Sequence, residues 1–139
     1  MGIQIGQINA QRTAAAPANI ETLIKERNLD ILCLQEPFYF EGKVRGYNTP
    51  NLIKLHPQNC RKAWVTAVVK NDKVDALVNV GYESENMCFK VMAGDHVIVI
   101  INVYCQYPLP LWGFLGRIER TLKSLQGEKM LITMDSKVK

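Results

Sequence analysis

The strongest constraint on this chain is how its apolar runs end. They are short, of strand length, and several stop at one polar residue. Residues 3–8 lead to Asn9, residues 31–34 to Gln35-Glu36, residues 97–103 to Tyr104 and residues 130–134 to Asp135. A continuous run such as 31–34 marks a strand covered on both faces. Two other stretches repeat every three or four residues instead. Ile20, Leu23 and Ile24 share one face of a helix that Thr13 would cap, that carries Pro17 in its first turns and that ends near Asn28. Leu111, Leu115, Ile118, Leu122 and Leu125 give a second, cleaner amphipathic helix, with Pro108 and Pro110 before it and Gly127 closing it.

Between these lie an irregular stretch over residues 37–61 and four strand-like segments, residues 63–69, 74–80, 87–92 and 97–104. Asn71-Asp72 and Gly94-Asp95 read as the turns of two hairpins. The order predicts one α/β (α+β) domain with a mixed, largely antiparallel sheet and helices on one face. The two ends of the chain share a grammar: an amphipathic helix, a short turn, then a buried strand ending in a carboxylate. With 139 residues the chain can bury roughly two thirds of its unfolded surface, so a core is expected.

Composition excludes more than it selects. The longest apolar run, residues 97–101, is far short of the ~18 residues a membrane span needs, and no secretory signal is visible. Lys and Arg number 17 against 13 Asp and Glu, a net charge of +4, which permits a polyanion partner without arguing for one. Cys33, Cys60, Cys88 and Cys105 have no C-x-x-C spacing, so they read as reduced thiols of an intracellular protein rather than zinc ligands.

In α/β sheets ligands gather at strand ends. Asn9, Glu36, Tyr104 and Asp135 at one rim would make a hard-oxygen site suited to magnesium. Such an ion activates a water, orients a phosphate and stabilises developing charge. Each residue alone also fits a turn, a helix cap or ordinary packing, as does Tyr104 as a half-buried ring.

The wording around these residues resembles the exonuclease–endonuclease–phosphatase superfamily. Within it the chain resembles the apurinic-like endonuclease domain of non-LTR (LINE-type) retrotransposons. The matching words are Ile8-Asn9 with Ala10-Gln11-Arg12, Leu34-Gln35-Glu36-Pro37, residues 67–70 before an Asn-Asp turn, residues 99–104, residues 115–125 and residues 131–135. They run along the whole chain. The resemblance implies a DNase I-like four-layer α/β sandwich and an Mg2+-dependent endonuclease, with Mn2+ as a substitute, that nicks one strand of DNA. It implies that Glu36 holds the metal, that Asn9 supports the metal and phosphate side, and that Tyr104 sits near the scissile phosphate. Asp135 would orient or deprotonate the attacking water, and the free 3′-hydroxyl would prime reverse transcription in the nucleus.

The family's aspartate belongs to an Asp-x-Asn pair, but Lys137 stands at the third position here. A cation attracts phosphate without an amide's geometry. Family members are longer, and their second half supplies a further aspartate and a histidine; His56 and His96 read as surface residues instead. The expectation is therefore a single, C-terminally truncated domain over residues 1–139, weak or inactive alone, with an open apolar sheet face for association. The alternatives are a non-catalytic derivative that binds DNA or a protein partner, and an unrelated α/β domain. For DNA binding, Arg61, Lys62, Lys70, Lys73, Lys137 and Lys139 are the candidate phosphate contacts.

Overall fold

The computed structural model describes residues 2–55, 63–70, 76–82, 86–105, 111–124 and 126–136. Along them run β1 (Ile5–Asn9), α1 (Ala16–Arg27), β2 (Ile31–Gln35), β3 (Tyr39–Phe40), β4 (Lys43–Val44), β5 (Leu52–Leu55), β6 (Val65–Lys70), β7 (Ala76–Tyr82), β8 (Asn86–Ala93), β9 (His96–Cys105), α2 (Leu111–Ser124) and β10 (Met130–Ser136). The strands divide between two four-stranded sheets, ordered β1-β2-β6-β5 and β10-β9-β8-β7, with β3-β4 as a small separate ribbon.

The shared grammar of the two ends has a structural basis. β1 pairs parallel with β2 and β9 parallel with β10, and a helix joins each pair. Parallel neighbours need such a crossover, whereas hairpins serve the antiparallel pairs. Each sheet therefore carries one parallel pair, and the rest of its pairing is antiparallel.

All five residues of β2 are buried, and the alternation of a strand explains how. Ile31 and Cys33 face a core between the sheets, with Val65, Ala67 and Val69 from β6 and Met87, Phe89, Val91, Ile100 and Tyr104 from the second sheet. Leu32 and Leu34 face the other way, onto Ile20 and Ile24 of α1. On the second sheet Cys88, Val99, Ile101 and Val103 turn outward and meet Ile118 and Leu122 of α2. The layers run helix, sheet, sheet, helix, so each sheet has its helix on one face. Cys33, Cys88 and Cys105 are buried free thiols, and Cys60 lies outside the described residues.

Several sequence expectations change in detail. α1 starts at Ala16 behind Ala15, not at a Thr13 cap, because the Thr13 hydroxyl donates to the Ala10 carbonyl instead. Its end at Asn28 holds: Asn28 is left-handed, at φ 51°, and its N–H reaches the Ile24 and Lys25 carbonyls. The stretch taken as irregular contains β3, β4 and β5, which are short and lack a clean alternation. Asn71-Asp72 lies outside the described residues, and β6 and β7 do not form a hairpin, since they belong to different sheets. Gly94-Asp95 does turn β8 into β9.

The open sheet face expected of half a sandwich finds no support among the described residues, because the two inner faces cover each other. Exposed apolar side chains narrow to scattered positions and one stripe. Met130, Ile132 and Met134 lie on the outward face of the edge strand β10 at 37, 40 and 41% exposure, while Leu131 and Thr133 point inward.

Candidate active site

Each parallel pair ends at the same rim. Asn9 is the last residue of β1 and lies opposite Gln35 in β2, so Glu36 is the first residue past that pair. In the second sheet Asp135 lies directly opposite Tyr104. Two hydrogen bonds then cross from sheet to sheet. The Asn9 amide nitrogen donates to an Asp135 carboxylate oxygen. The Tyr104 hydroxyl donates to Glu36 Oε1 at 2.6 Å. Side chains as far apart in sequence as Asn9 and Asp135 thus meet at one place, and all four expected site residues are there.

The backbone on the first-sheet side is tightly specified. Glu36 is left-handed at φ 50°, and so are Gln11 and Arg12, both at φ 54°. Non-glycine residues rarely hold that region unless their surroundings impose it. Here the Glu36 N–H donates to the Trp64 carbonyl at 2.8 Å, and the Glu36 carbonyl accepts from the Arg12 N–H at 2.9 Å. Asn9 Oδ1 accepts from the Gln11 N–H at 2.7 Å, so the Asn9 side chain closes its own turn while its nitrogen reaches Asp135.

Beneath the rim lies a fully buried polar network. Asn102 in β9 donates to the Leu34 and Thr66 carbonyls at 3.1 and 2.9 Å, and its Oδ1 accepts from Gln35 Nε2 at 2.6 Å and from the Thr133 hydroxyl at 3.0 Å. Gln35 and Thr133 lie one and two residues from Glu36 and Asp135, so the network ties both carboxylate-bearing strand ends to β9. A polar residue inside an apolar run must find partners when buried. That rule was the available signal for Asn102 and Gln35, but it names no partner.

Arg12 and Trp64 are the site neighbours that sequence reasoning missed. The Arg12 guanidinium carbon lies 4.2 Å from the Trp64 ring centroid. The Trp64 ring in turn stacks on Tyr104, with centroids 5.2 Å apart and planes 6° from parallel. Arg12 belonged to a quoted motif without a role, and nothing in its local wording marks Trp64.

The electrostatics follow from this crowding. Burial raises the Tyr104 phenol above its ordinary pKa, and the Glu36 hydrogen bond and charge and the Asp135 charge add to the rise, with Arg12 opposing. Burial also lowers the Arg12 pKa, against the attraction of Glu36, Tyr104 and Tyr39. The phenol at neutral pH is therefore a hydrogen-bond donor.

His96 is exposed at the first position of β9, about 27 Å along the strand from Tyr104. His56, Lys137 and the basic residues Arg61, Lys62, Lys73 and Lys139 lie outside the described residues. Lys70 donates to Asn28 Oδ1 at 3.1 Å. Among the described residues no three of His, Cys, Asp and Glu gather as a metal cluster. The rim instead offers two carboxylates, Glu36 and Asp135, which suits magnesium, since it needs one or two carboxylates and keeps its waters; Asn9 Oδ1 is taken up by the Gln11 N–H.

This architecture is the endonuclease/exonuclease/phosphatase fold, which the sequence motifs had pointed to. Among solved structures, the endonuclease domain of TRAS1, a telomere-specific non-LTR retrotransposon, superposes with a TM-score of 0.81 at 16% identity, over 96% of this chain and 58% of that one. TDP2 from D. rerio, complexed with single-strand DNA product, gives 0.64 at 8% identity, over 96% of this chain and 59% of that one. An endonuclease/exonuclease/phosphatase family protein from Leptotrichia buccalis gives 0.57 at 12% identity, over 96% and 66%. The chain thus spans about three fifths of the length of the first two. No protein-family model and no curated protein sequence matches it. No described helix is long and apolar enough to cross a membrane.

Proposed function

We propose that this chain carries the phosphodiester-hydrolysing site of a DNA endonuclease of the non-LTR retrotransposon type, which nicks one strand. The observation that carries the reading is the pair of inter-sheet hydrogen bonds, Asn9 to Asp135 and Tyr104 to Glu36, which gather the four residues that the motifs single out. The fold shared with the TRAS1 endonuclease domain supports it.

In this reading Glu36, with Asn9 beside it, holds Mg2+ or Mn2+. When bound, the ion supplies Lewis-acid stabilisation of charge on the phosphate. Asp135, its carboxylate oriented by Asn9, takes a proton from the attacking water as the water adds to phosphorus. Tyr104 remains protonated and donates to a phosphate oxygen as negative charge grows there. The P–O3′ bond breaks, O3′ takes a proton from solvent water and leaves as a free 3′-hydroxyl, and the phosphate stays on the 5′ side. In this reading that hydroxyl primes a reverse transcriptase, and the work is on chromosomal DNA in the nucleus. With His96 remote from Asp135, no described histidine relays the water's proton, so turnover by this chain is expected to be slow.

The test is nicking of supercoiled plasmid at high protein concentration, with and without Mg2+. Slow nicking that needs Mg2+ and disappears in Glu36→Gln is the expected result. Salt-sensitive DNA binding with no nicking would instead favour a non-catalytic derivative, because phosphate-driven binding weakens steeply with ionic strength.

A further inference from the structure

Arg12 is held in an unusual way for a basic residue beside a proposed phosphate site. Its guanidinium covers the Trp64 ring at 4.2 Å. One terminal nitrogen donates to the Ala63 carbonyl at 2.9 Å and the other to the Pro37 carbonyl at 3.4 Å. Its own N–H donates to the Glu36 carbonyl at 2.9 Å. A single residue thereby fastens three segments: the turn after β1, the residues flanking Glu36, and the residues leading into β6. Its backbone is left-handed at φ 54°, a conformation that arginine adopts only when held there.

The indole carries a second contact. Trp64 lies flat on Tyr104, and the Tyr104 hydroxyl ends on Glu36. The order is guanidinium, indole, phenol, carboxylate. We propose that Arg12 and Trp64 are positioning residues: the guanidinium–indole stack fixes the Tyr104 ring, and with it the place beside Glu36 from which the hydroxyl donates during hydrolysis. Its effect on turnover rests on the nuclease reading above; its effect on the aromatic stack does not.

The rival role for Arg12 is direct contact with a DNA phosphate. The two roles separate cleanly. A phosphate contact needs a positive charge, which lysine keeps. The stack needs a flat guanidinium with two carbonyl bonds, which lysine cannot supply. At position 64 phenylalanine keeps a flat ring, whereas leucine keeps bulk without one.

The experiment measures nicking under Mg2+, with kcat and KM resolved, and near-ultraviolet circular dichroism, for Arg12→Lys, Trp64→Phe and Trp64→Leu, each with an intact far-ultraviolet spectrum. Arg12→Lys and Trp64→Leu are expected to lower kcat about 10- to 100-fold with KM and the salt dependence unchanged, while Trp64→Phe stays within about threefold. The coupled Trp–Tyr signal is expected to collapse in Arg12→Lys. In Arg12→Gln, which removes the charge, a raised KM with unchanged kcat and a salt slope smaller by about one charge overturns the proposal in favour of phosphate contact. Unchanged kcat in Arg12→Lys also overturns it. If the unmodified chain does not nick at all, the nuclease reading fails; the dichroism then decides the stack, and an unchanged signal in Arg12→Lys refutes it.

Discussion

Replacing Asn102 by leucine tests how the two sheets are locked together beneath the rim. Asn102 is 0% exposed and makes four hydrogen bonds, two as donor to the Leu34 and Thr66 carbonyls and two as acceptor from Gln35 and Thr133. Those carbonyls belong to residues paired with each other in the β2–β6 ladder, so they have a second source of satisfaction. The Gln35 amide and the Thr133 hydroxyl lose a buried partner outright. An orphaned buried polar group costs about 1–3 kcal/mol, and leucine returns part of that as apolar burial, so the net loss is about 3 kcal/mol. With a urea slope of about 1.5–2 kcal/mol per molar, the unfolding midpoint should fall by about 1.5–2 M, read by far-ultraviolet circular dichroism. Gln35→Leu alone should also destabilise. The double variant should lose clearly less than the two singles together, because removing both partners leaves fewer orphans. A midpoint for Asn102→Leu within about 0.5 M of the unmodified protein, or strict additivity in the double variant, would refute the lock.

Further outcomes follow from single contacts. Gly46→Ala should destabilise by about 1–3 kcal/mol in the same urea assay, since Gly46 sits at φ +92° and an added Cβ would lie 2.3 Å from Pro17 Cβ; an unchanged midpoint would count against the packing of α1 on this loop. Tyr104→Phe keeps the ring on Trp64 but removes the donor to Glu36, so plasmid nicking should slow about 100-fold while the far-ultraviolet spectrum is unchanged; undiminished nicking would remove the hydroxyl from the mechanism. Stability should also fall at alkaline pH. Burial pushes the Cys33 thiol from 9.0 up to about 11, so the folded state favours the protonated form; stability present below pH 9 is lost as pH rises toward 11, by about 2–3 kcal/mol for this group. The urea midpoint of Cys33→Val should decline less over that window, and an equal decline in both proteins would place the loss elsewhere.

How far the sequence could be read depended on the range of the interaction involved. Elements held by their own periodicity were readable: β2 as a four-residue apolar run, α2 from its leucine repeat, the end of α1 at Asn28 and the turn at Gly94-Asp95. The split into two sheets was not, because β6 and β7 look alike locally and differ only in their partners. Thr13 looked like a cap, yet its hydroxyl is engaged within the turn at Ala10, and local wording cannot rank two acceptors within three residues. At the rim, Asn9, Glu36, Tyr104 and Asp135 stood out because each interrupts an apolar strand at its end. Trp64 did not, since an aromatic residue within the strand-like segment 63–69 is ordinary, and its meaning lies in contacts with residues 52 positions before it and 40 after it.

The placement of Tyr104 also limits how labour can be divided at the rim. A phenolate there would face the Glu36 carboxylate at hydrogen-bond distance and the Asp135 carboxylate across the strand pair, in a buried setting. Two like charges and desolvation both oppose its ionisation, and among the described residues the cation acting on it is Arg12, stacked on Trp64. Tyr104 therefore cannot serve as a base near neutral pH. Its proton is committed to donation, toward Glu36 at rest and toward a phosphate oxygen in the proposed reaction. In the proposed reaction, proton abstraction from water is therefore assigned to a carboxylate, and Glu36, already accepting the phenol, is the poorer candidate. Asp135 accepts instead from a neutral amide, which orients its carboxylate without neutralising it. The same two cross-sheet bonds that hold the layers in register thus separate a donor pair from an acceptor pair.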